Sequence, residues 1–208
     1  MFSIRHFGRD ILKYRTAMFI ALIIFAAGAF VGASNVESIA DLVMPEIERL
    51  GEHSRNLAAS DNPEVSFFLF IFANNAIKSV AIMLLGALLG VIPFFFLLMN
   101  GIILGFVVAY AGSGGANVLE MIVRGLLPHG IIEIPAILLA AGFGMQFGYL
   151  GLKSLGELGA RDASDRTVKW REFFISLGRG AVWIVILLLV AAIVESTLTF
   201  YLMGGASS

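Results

Sequence analysis

The chain has 208 residues, of which 59% are apolar before its 23 glycines are counted, against about 45 to 50% with glycine included in soluble domains. Its 14 basic and 15 acidic residues give a formal charge of −1 and are clustered, so that long stretches carry no charge at all. This composition excludes an ordinary soluble domain and a basic nucleic-acid footprint, so no nucleic-acid partner is expected. The absence of cysteine excludes disulfides, thiolate metal sites and cysteine nucleophiles.

A bilayer core of about 30 Å requires roughly 20 apolar residues per helix, with every backbone polar group satisfied internally. Charge gaps of that size divide the chain. Residues 1–16 form a basic tail, and 17–33 a first span. Residues 34–66 form an outer segment, and 67–92 and 94–112 two further spans, divided by a turn at Pro93. Residues 113–130 form an outer or re-entrant segment, 131–152 a fourth span, 153–178 a loop and 179–203 a fifth span, interrupted only by Glu195. The fold class is therefore all-α: a single polytopic helical membrane domain with about five transmembrane helices, a re-entrant or interfacial half-helix and an outer amphipathic helix.

Lys/Arg residues concentrate on cytoplasmic flanks. Ten of the 14 lie in the N-terminal tail (Arg5, Arg9, Lys13, Arg15) and in the loop before the fifth span (Lys153, Arg161, Arg166, Lys169, Arg171, Arg179). This asymmetry predicts a multi-pass membrane protein with its N-terminus inside and its C-terminus outside. A cleaved signal peptide ending near Val31-Gly32-Ala33 is the competing account of the first span, although its apolar run exceeds the usual length.

In the outer segment, Val36, Ile39, Ala40, Val43, Ile47 and Leu50 recur at helical spacing opposite acidic residues. Either this stripe packs on the bundle or it docks a partner. Ser60-Asp61-Asn62-Pro63 ends the helix, and Asp165 is positioned to cap a helix running into Trp170, Phe173 and Phe174. Four glycine pairs, Gly28/Gly32, Gly86/Gly90, Gly101/Gly105 and Gly144/Gly148, have the spacing that lets membrane helices approach closely. Packing within the chain and a homodimer both remain open.

Polar side chains within the spans are few and expensive. Asn74, Asn75 and Lys78 open the second span, Asn100 interrupts the third, Glu133 begins the fourth and Glu195 lies in the fifth. The segment from Glu120 to Pro135, with Arg124, is too polar for a span and too apolar for a free loop. Gly125, Pro128 and Gly130 interrupt it, as in broken helices that line membrane cavities. On a helix starting near Pro128, His129 and Glu133 are four apart and share a face. Three uses compete for them: a latch bonding each other or Asn74, Asn75 and Asn100; a proton or substrate path; and metal or hydrolytic chemistry. Two ligands fall short of a catalytic zinc set, and His6 and His53 fall on opposite sides. No nucleophile elbow, phosphate loop or dinucleotide fingerprint occurs. The residues point to no catalytic set, no metal and no cofactor.

FANN (Phe72 to Asn75), a Gly86/Gly90 span, LMNGIILG (Leu98 to Gly105) and LPHGIIEIPA (Leu127 to Ala136) follow one another in an order and spacing that resemble the stage II sporulation protein M family of integral membrane proteins. The resemblance covers about Phe67 to Gly151. It implies a polytopic helical protein whose motif residues are Asn74, Asn75, Asn100, Gly101, Pro128, His129, Gly130, Glu133 and Pro135. The His-Gly and Glu pairing is typical of the broader branch of that family. The member after which the family is named works with membrane-anchored cell-wall hydrolases during engulfment, and other relatives lie beside peptide-export genes. The leading expectation is thus a non-enzymatic scaffold that anchors partner proteins, such as cell-wall hydrolases, among membrane lipids. A transporter, export component or lipid-handling channel built on the Asn/His/Glu cluster is the alternative, and an intramembrane hydrolase is third.

Overall fold

A computed structural model describes residues 3–114, 127–159 and 167–204. The described residues form seven α-helices: α1 (Ile4–Lys13), α2 (Arg15–Ser34), α3 (Val36–Ala58), α4 (Pro63–Leu85), α5 (Val91–Ser113), α6 (Leu127–Gly156) and α7 (Trp170–Gly204), plus one 3-10 turn, Glu157–Gly159. Five of them (α2, α4, α5, α6 and α7) are long and apolar enough to cross a membrane. The fold is all-helical, as the charge gaps predict. Large apolar side chains such as Phe30, 73% exposed, and Ile77, 69% exposed, point away from the bundle. Such a surface is stable only against hydrocarbon.

Two seams of glycine hold the bundle together. A Cβ on Gly28 or Gly32 would collide with the backbone of Leu98 or Ile102, and one on Gly101 or Gly105 with the backbone of Phe25 or Ala29. Helices α2 and α5 therefore touch backbone to backbone. The second seam sets Gly86 and Gly90 against Gly144 and Gly148 of α6, where a Cβ on Gly144 would lie 2.6 Å from the Ile82 carbonyl oxygen and 2.7 Å from Pro93. All four glycine pairs are used in contacts within the chain. Between lipid-solvated helices it is this close packing, with no hydrophobic drive to help, that favours association.

The turn between α4 and α5 falls earlier than the sequence suggests. Helix α4 stops at Leu85 and α5 starts at Val91, so Pro93 is the third residue of a helix, where no intrahelical N–H is required. The reversal is made by Leu89 (φ 55°) and Gly90 (φ 76°). A leucine in this left-handed region is strained, and Gly148 packs directly on the pair. The expected re-entrant half-helix lies mostly outside the described residues. Its described end, Leu127 to Gly130, is the continuous first turn of α6, with Pro128 second in the helix. The Asp165 cap also lies outside them.

The N-terminal segment, a basic tail in the sequence, is a docked helix. Phe7, Asp10 and Tyr14 lie on one face of α1 and its C-cap and are buried. Phe7 stacks on Trp183 with centroids 6.2 Å apart. Asp10 accepts hydrogen bonds from Arg179 (2.6 Å) and Ser176 (2.9 Å), both on α7. Below these contacts Tyr14, Phe143 and Phe173 meet edge to face, within a core that also holds Met83, Ala136, Ala140 and Leu188.

Removing one partner of a buried ion pair leaves an uncompensated charge. Asp10→Ala and Arg179→Ala are each expected to lower stability by about 3 kcal/mol, with the double variant losing less than the sum, as read by unfolding titrations in mixed micelles. Gly105→Leu is expected to cost at least about 2 kcal/mol through overpacking. Gly8→Ala, at a helix position with open space around it, is expected to raise stability by about 0.5 to 1 kcal/mol in the same titration.

Candidate functional site

Residues of α4, α5 and α6, with others from neighbouring helices, line two adjoining half-open cavities. The larger, of about 640 Å³, is lined by Asn74, Asn75, Lys78 and Ser79 of α4, Asn100 of α5 and Glu133 of α6. The smaller, of about 420 Å³, shares Asn74, Asn75, Asn100 and Glu133 and adds Gly130 and Glu195. Four of the polar residues singled out in the sequence thus face both cavities, and Lys78 and Glu195 face one each.

The helix frame explains this convergence. Helix α4 begins at Pro63, so Asn74 and Asn75 lie near its middle. The apolar run from Phe67 to Ala73, placed in the second span by the sequence, precedes them in the same helix. Asn75, Ser79 and Ile82 follow at helical spacing and carry the cavity down that face. On α5, adjacent residues diverge by about 100°, so Asn100 lines the cavities while Gly101 enters the seam with α2. On α6, Glu133 and Ile137 share the cavity face four residues apart. Pro135, on another face, has no amide to give the carbonyl of residue 131.

The remaining wall comes from α3. Leu42, Val43, Glu46 and Leu50 border the larger cavity, and Val43 is buried. His53 stacks on Phe70, and the Ser60 hydroxyl donates to Ser66 at 2.9 Å, so α3 is closed back on α4. Its polar face is exposed at Glu37, Asp41, Glu48 and Glu52. Glu46 lies within the apolar stripe, three residues after Val43 and four before Leu50, and pairs with Arg49.

Among the described residues the asparagine side chains bond within their own helices. Asn74 donates to its neighbour Asn75 (3.4 Å), and Asn100 donates to the Phe96 carbonyl one turn back (2.7 Å). The amide oxygen of Asn100 remains an acceptor. Glu133 is engaged by other groups. Ser79 is 1% exposed, and its hydroxyl has no hydrogen-bond partner among the described residues. A buried hydroxyl left unpaired is costly. The site therefore offers amide donors and acceptors, a hydroxyl, an ammonium and carboxylates at one part of a surface otherwise made of Ile, Leu, Val, Phe and Met.

The other sequence candidates are distributed as follows. Pro128 and His129 belong to the first turn of α6, but their side chains lie outside the described residues, as do Glu120 and Arg124 altogether. Among the described residues no three His, Cys, Asp or Glu side chains gather to hold a metal. Sequence reasoning missed Ser79 and Glu46. Each carried a signal: Ser79 is one turn after Asn75, and Glu46 is a carboxylate on an apolar stripe.

The family model described as stage II sporulation protein M matches residues 21–200. The chain is similar to the uncharacterized protein MJ0706 of Methanocaldococcus jannaschii, 26% identical over 193 residues that make up 93% of this chain and 83% of that one. No solved structure matches. With five membrane-crossing helices and a family match over most of its length, the chain belongs to the stage II sporulation protein M family and is a multi-pass membrane protein.

Proposed function

We propose that this protein is a non-enzymatic membrane protein that binds a small amphiphile, a lipid or a lipid-like molecule, in the α3-covered cavity and moves it between the bundle and the surrounding bilayer. One observation carries the reading: Asn74, Asn75, Asn100 and Glu133, from three helices, border open volume, and among the described residues the asparagine side chains bond within their own helices. A purely structural role for the asparagines would have closed their side chains across the helices, because polar groups at membrane depth are expensive. An amphiphile matches the lining, with a polar head for the amides, Lys78 and Ser79 and a hydrocarbon part for Leu42, Ile82, Leu85 and Met99. Helix α3 is the natural entry element, since it is amphipathic and is the one wall of the cavity that does not cross the membrane.

The basic residues support an orientation with the N-terminus in the cytoplasm of a bacterial cell. The N-terminal helix and the segment before α7 lie at the same end of the bundle, where Lys13 pairs with Glu172 at 3.1 Å. Scaffolding of partner proteins, cell-wall hydrolases among them, is the second reading. It is favoured by the exposed acids of α3 beside Leu42, which is 63% exposed. Charge reversal at Glu48 and Glu52 is expected to abolish retention of such a partner on the immobilised protein if that reading holds.

The test of the first reading is lipid movement in proteoliposomes, followed with a headgroup- or chain-labelled phospholipid quenched from outside. Wild type is expected to exceed empty vesicles. Asn100→Leu and Glu133→Gln are each expected to lower the rate about tenfold, the effect of one hydrogen bond of about 1.4 kcal/mol. Wild-type rates equal to those of empty vesicles, with folded protein in the bilayer, overturn the reading. Ser79→Ala separates fold from function, because deleting an unpaired buried hydroxyl is expected to leave thermal stability unchanged or raise it by up to about 1 kcal/mol while transfer falls.

A further inference from the structure

A third pocket, sharing no lining residue with the Asn/Glu cavities, lies where the end of α1, the end of α6 and the start of α7 meet. It has a volume of about 240 Å³ and is bordered by Lys13, Lys153, Lys169, Thr167 and Glu172. We propose that it holds the phosphate of an anionic phospholipid in the leaflet on that side.

Charge is the first argument. Three lysines from three separate parts of the chain meet around one opening, and Glu172, the one lining acid among the described residues, is shared between Lys13 (3.1 Å) and Lys169 (3.3 Å). Among the described residues, three lysines face Glu172 in the lining and Glu157 behind it, which leaves a net positive charge that a phosphate diester can neutralise while keeping the Glu172 pairs at the rim. Lys153 comes from the last turn of α6, where a cation also complements the helix dipole.

Construction is the second. The wall formed by residues 167–169 is pinned: the Glu157 carboxylate accepts the Thr167 hydroxyl (2.6 Å), the Thr167 amide (3.0 Å) and the Val168 amide (3.4 Å). Chiefly the Thr167 hydroxyl, then these amides and Lys153, hold Glu157 below the usual carboxylate range, so the pin remains charged at neutral pH. Lys13 is also held over the Tyr14 ring, 5.3 Å from its centroid.

Depth is the third. Lys153 lies in the last turn of α6, Lys169 just before α7 and Lys13 two residues before α2, so all three stand at the ends of membrane-crossing helices, which is headgroup level. Directly beside them Trp170, Phe147 and Phe174 form an aromatic cluster, Trp170 stacking on Phe174 with centroids 5.7 Å apart. Aromatic side chains of this kind mark the membrane interface, and basic pockets between helices at that level select anionic headgroups. Phe174 is half exposed, so acyl chains have an apolar surface to follow. A soluble phosphate would use the lysines but gain nothing from this position.

The full-length protein in neutral detergent is titrated with short-chain phosphatidylglycerol or with phosphatidylcholine bearing the same chains, and retention is read by native mass spectrometry. Phosphatidylglycerol is expected to be held more tightly than phosphatidylcholine. That preference is expected to fall roughly fivefold in Lys153→Gln and about a hundredfold in the triple Lys13→Gln, Lys153→Gln, Lys169→Gln variant. Lys153→Gln leaves the Lys13–Glu172 pair intact, so it answers the question even if the triple variant does not fold. Equal retention of the two lipids by wild type, or an unchanged preference in Lys153→Gln, overturns the proposal. Displacement of the lipid by millimolar inorganic phosphate reassigns the pocket to free phosphate and overturns the lipid assignment.

Discussion

Everything in this bundle depends on helix backbones meeting without side chains between them. In lipid the hydrophobic effect does not draw helices together, so association rests on the area of close van der Waals contact that the shapes allow. Gly28, Gly32, Gly101 and Gly105 make that contact between α2 and α5, while Gly86, Gly90, Gly144 and Gly148 make it between the α4–α5 turn and α6. A strained Leu89 is tolerated because Gly148 admits the turn against α6. Beta-carbons on these seams would push the helices apart and remove the frame on which the cavities depend.

The polar cluster is a geometric product of the same seams. A helix pressed into a neighbour on one side presents larger residues on the other. In α5 the adjacent Asn100 and Gly101 divide those duties, one bordering the cavities and one filling the seam. The motif that reads as a dipeptide is thus two motifs on two faces. In α6 the duties are divided along the helix: Glu133 and Ile137 border the cavities near its start, and Gly144 and Gly148 fill the seam a few turns later. Amphipathic α3 then covers what the three spans leave open, placing Glu46 at the edge of a largely apolar wall.

Much of this is legible in the sequence because membranes penalise exceptions. Charge gaps reveal the five crossing helices, glycine spacing marks the seams, and an asparagine amid Phe, Leu and Ile stands out whatever its neighbours. Legibility fails where the penalty is cancelled by a distant partner. Asp10 looks like a solvated residue of a basic tail because Arg179 and Ser176 are far away in the chain. Ser79 is inconspicuous because serine is tolerated in helices. The α4–α5 turn is misplaced by attention to Pro93, since proline is as acceptable in the first turn of a helix as between helices. His129 had the strongest chemical signal in the sequence, and its side chain lies outside the described residues.

The pairing of Asp10 with Arg179 spans 169 positions, and this distance has a consequence for biogenesis. A ribosome adding about 5 to 20 residues per second completes the arginine roughly 10 to 30 s after the aspartate. Throughout that interval the carboxylate has no counter-ion from α7, and an unpaired anion does not enter a hydrophobic interior. The first helix must therefore wait in the aqueous boundary while later segments leave the insertion machinery. Its docking is the final act of assembly, and nascent chains released before the last segment emerges retain a loose, protease-accessible leading helix.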